Sequence, residues 1–310
     1  MPKEITHWLI AREIIGKLRD HPFWGENLSA YANIFQLGTV LPDSPANMLY
    51  GGQNKILKKI DRRLHESNTG YQAVADSARR NIPLKPPQSA LLAGILSHFL
   101  ADAVFHPFVF YFCNRIQTRH YRLETYLDLY YLHSTRTTKR LTCRELLDHI
   151  EIGQGEFCRL IADFFSFDAK IAPENIAVML NLHAGIQDQY DKRPLRSIMH
   201  LLSFLPFNDM AGKLALFYPL AGPEPGLLFP EPLSFRHPVT GEKGSAKVDD
   251  LRVEAIEKTT GILAQATSEK DFRELLANFE GPSPTTGLPN VPAAEMTYFD
   301  IESDIMEVIL

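Results

Sequence analysis

The segment Ser97-His98-Phe99-Leu100-Ala101-Asp102-Ala103-Val104-Phe105-His106 places three metal-ligating side chains at every fourth position of an apolar, helix-length run. On an α-helix, four residues turn about 400° and rise about 6 Å, so His98, Asp102 and His106 form a row along one face. The ends of the row lie about 12 Å apart, whereas zinc–nitrogen bonds are about 2 Å, so a single ion does not explain both histidines. Two ions do, with Asp102 between them able to serve one or bridge the pair, as dinuclear hydrolytic sites require. Burying such groups unpaired costs several kcal/mol each, and a metal is the usual resolution.

A second imidazole–carboxylate pair follows at His120-Tyr121-Arg122-Leu123-Glu124, again at i and i+4. Pro107 lacks the amide hydrogen that a helix interior needs, so the first helix is expected to end or kink near His106 and let the chain return with His120 facing the row. The run from Ala90 to Phe112 is also long enough to span a bilayer. Pro86 and Pro87 bound it on one side, no second span of that length exists and the next helix is mixed and charged, so a buried core helix is the expectation.

At 310 residues the chain can bury a sizeable core, and 45% hydrophobic with 22% charged residues is ordinary for a globular protein. A net charge of −5 without a dense Lys/Arg cluster excludes a long nucleic-acid footprint; Lys55 to Arg63 reads as a solvated amphipathic helix face. The first segment shows no basic stretch followed by an apolar core and cleavage site, so no secretory signal is expected. Cys113, Cys143 and Cys158 have no Cys-x-x-Cys spacing, which excludes thiolate zinc fingers and points to a reduced, cytoplasmic setting.

Most of residues 5–215 reads as helix: Thr6 is placed to cap a helix through Leu18, and helical segments cover 53–66, 70–80, 88–106, 118–140, 143–167 and 173–190. Strict two-residue alternation is scarce, so the fold class is all-α. From Pro219 to Lys247 the chain turns Pro- and Gly-rich, which predicts an extended excursion in place of a packed element. Helices at about 249–266 and 268–279 follow, and Gly281 to Pro292 predicts a tail or docked segment. The organisation is therefore a helical domain over 1–218, with the excursion, two helices and tail of 219–310 packed on the same domain.

Three further candidates each have an ordinary structural explanation: His7 as a first-turn side chain, Asp43 as a turn or cap residue beside Pro42, and His65 as a cation at a helix C-terminus. In chain order, however, His7, Gly38-x-x-x-Pro42-Asp43, His65, His98-x3-Asp102-x3-His106 and His120-x3-Glu124 resemble the zinc-dependent phospholipase C family. That family includes bacterial phosphatidylcholine-hydrolysing phospholipases and clostridial α-toxins, and it is related in fold to the S1/P1 nucleases. The resemblance implies a multi-helix phospholipase C/P1 nuclease-like domain holding two or three zinc ions. It assigns His7 and Asp102 to one ion, Asp43, His65, His98 and the bridging Asp102 to a second, and His106, His120 and Glu124 to a third. Asp43 is implied to be the general base as well as a ligand. In the secreted enzymes an N-terminal tryptophan completes the first ion's shell, whereas here Met1 precedes His7 by six residues.

Three divalent ions against three carboxylates leave a cationic site, which favours a phosphate ester. The expected activity is metal-dependent phosphodiester hydrolysis by zinc-activated water on a phospholipid or other small phosphodiester, with peripheral membrane contact but no transmembrane segment. A nuclease or nucleotide phosphodiesterase on the same fold is the nearest rival, and a non-catalytic zinc-stabilised helical binding module is the rival from another class. No His-Asp dipeptide, His-Glu-x-x-His, Gly-x-Ser-x-Gly or P-loop occurs, so HD phosphohydrolase, zinc protease, serine hydrolase and nucleotide-triphosphatase readings have no foothold. The aromatic residues of 108–131, which include Phe108, Tyr121 and Tyr130, are expected in the core more than in a lipid pocket.

Overall fold

The architecture comes from a computed structural model, which describes residues 3–48, 52–66, 69–135, 141–167, 170–202, 215–220, 229 and 232–300. Its centre is a helix from Pro86 to Cys113 whose residues are buried almost without interruption. The most apolar window of this helix is 100% buried, so its membrane-spanning length serves a protein core. In chain order the described helices are α1 (Glu4–Lys17), α2 (Trp24–Ala30), α3 (Ala32–Gly38), α4 (Gly52–Leu64), α5 (Thr69–Arg80), the central α6, α7 (Gln117–Ser134), α8 (Cys143–Asp148), α9 (Gln154–Phe165), α10 (Pro173–Gln187) and α11 (Arg193–Leu202). After the hairpin β1 (Leu233–Arg236) and β2 (Lys243–Ala246) come α12 (Val248–Leu263) and α13 (Glu269–Asn278). A 3₁₀ turn, Leu41–Asn47, links α3 to α4. The predominantly all-α fold agrees with the sequence reading.

A close contact between α3 and α6 sets the site. A Cβ on Gly94 of α6 would lie 2.3 Å from the Phe35 carbonyl oxygen of α3, and one on Gly38 would lie 2.7 Å from the Leu91 carbonyl oxygen. Two glycines thus let the backbones meet, and the end of α3 delivers the Thr39 carbonyl to His98, one helical turn beyond Gly94. Gly94→Ala is expected to force α3 away from α6, at a cost of roughly 2–3 kcal/mol in unfolding free energy, and to weaken metal retention with it. Urea unfolding paired with metal analysis checks both; loss of neither would contradict this account of the packing.

Four sequence expectations are corrected. The central helix does not end at Pro107 but continues to Cys113, where Asn114 and Arg115 adopt positive φ of 46° and 56°. The proline removes one helix bond, and the surrounding core holds the last turns in place, with Phe108 against Phe112 and Phe235. Thr6 is not the cap of α1, which begins at Glu4. Instead the buried Asp128 of α7 accepts from the Ile5 and Thr6 amides at 3.2 and 3.0 Å and from the Thr6 hydroxyl at 2.7 Å, so the cap arrives from a distant helix. The segment 143–167 is two helices, because the break before Gly153 lets the Glu151 carboxylate accept from the Asn33 and Ile34 amides at the start of α3. The stretch to Lys247 contains a packed element: β1 pairs antiparallel with β2, Leu233 opposite Ala246, and Phe235 packs on Phe108. Residues 221–228 and 230–231 of the excursion, 136–140 of the helix expected to reach 140, and 203–214 before the excursion lie outside the described residues.

Gly281–Pro292 is a docked segment. The Thr285 hydroxyl donates to the His65 carbonyl, the His237 ring to the Thr286 carbonyl, and the Ser283 and Thr286 side chains are fully buried. The three cysteines are buried free thiols.

Candidate metal centre

Four elements converge on one face of α6. That helix contributes His98 and Asp102, both fully buried, and His106 at 4% exposure. α1 adds His7, the 3₁₀ turn adds Asp43, the residue after α4 is His65, and α7 adds His120 and Glu124. All eight residues singled out in the sequence therefore face one region.

Among the described residues they form three trios: His7, His98 and Asp102; Asp43, His65 and His98; and His106, His120 and Glu124. Within each trio the potential ligand atoms lie within 4.8 Å of one another. Asp102 joins the first two trios, with its oxygens 3.5 Å from His7 Nε2, 3.2 Å from His98 Nε2 and 3.8 Å from His65 Nε2. Asp43 Oδ1 lies 3.4 Å from His65 Nε2 and 3.8 Å from His98 Nε2, and the His120 and Glu124 side chains meet at 2.6 Å.

The donor chemistry fits cations. His7 Nε2, Asp43 Oδ1, both Asp102 oxygens and His106 Nε2 are buried and form no hydrogen bond. Orphaned buried atoms on this scale are rare in a native fold unless an ion or water answers them. The outward face of the histidines is satisfied. His98 Nδ1 bonds to the Thr39 carbonyl at 2.8 Å, His65 Nδ1 to the Asp61 carbonyl at 2.8 Å, and His106 Nδ1 to the Pro284 carbonyl. A carbonyl only accepts, so each Nδ1 carries a proton, which leaves the inward Nε2 as the atom a metal would take.

Burial drives His106 down to about 3, His120 well below its ordinary value and His7 below its own, so these rings stay neutral. Burial opposes the charge of His65, yet Asp43, Asp61 and Asp102 together push it up to about 9. Asp102 is held well below the carboxylate range against the effect of burial, chiefly by His98.

Beside Asp43 and Glu124 opens a pocket whose other walls include Lys3, Glu4, Tyr121, His183, Tyr190 and Leu216. Sequence reasoning missed its inner end. Glu4 Oε1 accepts from His183 Nε2 at 3.1 Å, and His183 Nδ1 meets the Ser44 hydroxyl at 2.9 Å, so α1, α10 and the Asp43 turn are tied together. Glu4 and His183 have no spacing relation that would have marked them. The carbonyls of Thr39 and Pro284 were equally hidden, since a backbone acceptor has no side-chain signature.

The pair carries a pH signature. Burial raises Glu4, but His183 and Lys3 overcome it and hold the carboxyl down at about 2, against 4.5 ordinarily. The resulting stabilisation is present above about pH 4.5 and is lost as pH falls toward 2. His183 lies well above its ordinary value despite burial, raised by Cys143 and Glu4, so its share is complete below about pH 6.5 and is lost as pH climbs through that raised value. The melting-temperature gap between wild type and Glu4→Gln is expected to be widest near pH 6 and to narrow by pH 3. A gap independent of pH would refute the charged pair.

A family model described as zinc dependent phospholipase C matches residues 6–171, more than half of the chain. Curated proteins and solved structures returned no match.

Proposed function

The chain belongs to the zinc-dependent phospholipase C family, and on that footing we propose that it is a zinc-dependent phosphodiester hydrolase acting on phospholipid-like substrates, with two or three ions held among the residues of the three trios. The observation that carries the reading is the set of buried ligand atoms without hydrogen bonds on both sides of Asp102. Zinc, when bound, neutralises phosphoryl charge and makes water a competent nucleophile near neutral pH.

The protein's own part is positional. Asp102 is fully buried and stands beside the histidines of two trios, so it holds their ligands together without meeting substrate. Asp43 is 21% exposed, at the edge of the pocket, and is the carboxylate placed both to ligate and to take a proton from an incoming water. Nδ1 bonds to backbone carbonyls keep His65, His98 and His106 from rotating as charge develops. The apolar faces of Tyr121, Tyr190 and Leu216 give the pocket walls suited to the uncharged part of an ester.

The test is metal analysis of protein purified without added metal or chelator, with phosphodiester hydrolysis assayed on the same sample. Two or three zinc ions per chain and activity abolished by chelation and restored by zinc are expected. One ion or none, with no activity after zinc is restored, would replace this reading with a binding or structural one.

A further inference from the structure

The pocket beside Asp43 contains an aromatic seat for a cation, and the chain fills it itself. The Lys3 ammonium stands 3.7 Å from the centroid of the Tyr190 ring and 4.9 Å from that of Tyr218, and donates to the Leu216 carbonyl at 2.6 Å. Lys3 is only 6% exposed, so this is a buried contact, where cation–π attraction is strongest. Ring faces that would attract a quaternary ammonium are thus already covered by a positive charge. A ligand cation entering the same pocket would meet that charge.

The pocket's carboxylate lacks one hydrogen-bond partner. Glu4 is 8% exposed; its Oε1 accepts from His183, while its Oε2 is buried with no hydrogen bond. An unanswered buried carboxylate oxygen costs its full desolvation unless a donor arrives. With Lys3 and His183 flanking it, Glu4 needs no further positive charge. A hydroxyl supplies the missing donor without repelling Lys3.

We propose that this pocket receives the head group of the phosphodiester and selects an uncharged, hydroxyl-bearing group, a glycerol- or inositol-like polyol, over a quaternary ammonium. The assignment rests on the hydrolase reading above, because it takes the phosphate to sit at Asp43 and Glu124, where the pocket begins. Glu4 Oε2 accepts from a hydroxyl of the head group, Tyr121 and Tyr190 flank its carbon skeleton, and Lys3 excludes cations.

The decisive experiment compares two soluble phosphodiesters of equal backbone, glycerophosphoglycerol and glycerophosphocholine, on the zinc-loaded full chain. Binding is read by calorimetry and turnover by product release. The polyol ester is expected to bind, and to be cleaved, at least tenfold better. Lys3→Met uncovers the tyrosines and is expected to improve the choline ester at least tenfold relative to wild type, whereas Glu4→Gln is expected to weaken the polyol ester selectively. Equal affinities, or a preference for choline in the wild type, would overturn the proposal while leaving the hydrolase reading intact. If neither ester is turned over, the calorimetric ratio still decides the head-group question. Failure to bind either ester, together with zinc-independent inactivity, would take down both readings.

Discussion

Asp102→Asn is expected to leave about one zinc ion per chain where the wild type is expected to hold two or three, and to lower hydrolysis by about a thousandfold, roughly 4 kcal/mol of transition-state stabilisation. The side chain is fully buried, neither oxygen has a hydrogen bond, and three histidine Nε2 atoms lie between 3.2 and 3.8 Å from it. Asparagine keeps the volume but trades an anionic donor for a neutral amide, so the first trio loses its carboxylate and the second loses the anion beside His65 and His98. The trio of His106, His120 and Glu124 shares no residue with either and should retain its ion. Metal analysis, circular dichroism and turnover on one preparation separate loss of ligand from loss of fold. Full zinc content and full activity in a folded variant would remove Asp102 from the metal centre.

The same residue shows why part of the site could be read from sequence. A period of about 3.6 residues turns an i, i+4, i+8 series into a geometric statement, so His98, Asp102 and His106 declared a shared face before any tertiary information. His120 and Glu124 did so for the same reason. His7, Asp43 and His65 come from three other elements, and only the family resemblance joined them; the Gly38–Gly94 contact that brings the end of α3, just before Asp43, onto α6 is encoded by no periodicity. Local rules failed where a distant element supplied the missing group. Thr6 is a reasonable cap by residue type, yet Asp128 does the work from across the domain. Pro107 is a reasonable helix stop, yet tertiary packing carries the helix past it. The hairpin at 233–246 escaped notice because four-residue strands amid Pro and Gly give too short an alternation to register.

Residues 281–292 supply the second large effect, through one glycine. Gly287 has φ of +70°, a conformation that an L side chain adopts only at a cost of about 1–2 kcal/mol. A Cβ there would also stand 2.5 Å from the Ala103 carbonyl oxygen and 3.1 Å from Pro107 Cγ, on the turn of α6 just before His106. Gly287→Val therefore has to lift the segment off the helix, and two bonds just before it go with it: Pro284 to the His106 ring and Thr285 to the His65 carbonyl. Loss of such an outer partner costs a ligating histidine about 10–100-fold in metal affinity. The expected result is a loss of roughly 2–4 kcal/mol in stability together with selective weakening of the ion held by His106, His120 and Glu124. The two ions around Asp102 should hold more firmly, because His98 takes its outer bond from Thr39 and not from this segment. Chelator competition resolved by ion, set beside thermal melting, distinguishes the alternatives. A lower melting temperature with all ions equally retained would make the segment a cover alone; early release of one ion makes it part of the metal centre, contributed from 178 residues beyond the histidine it orients.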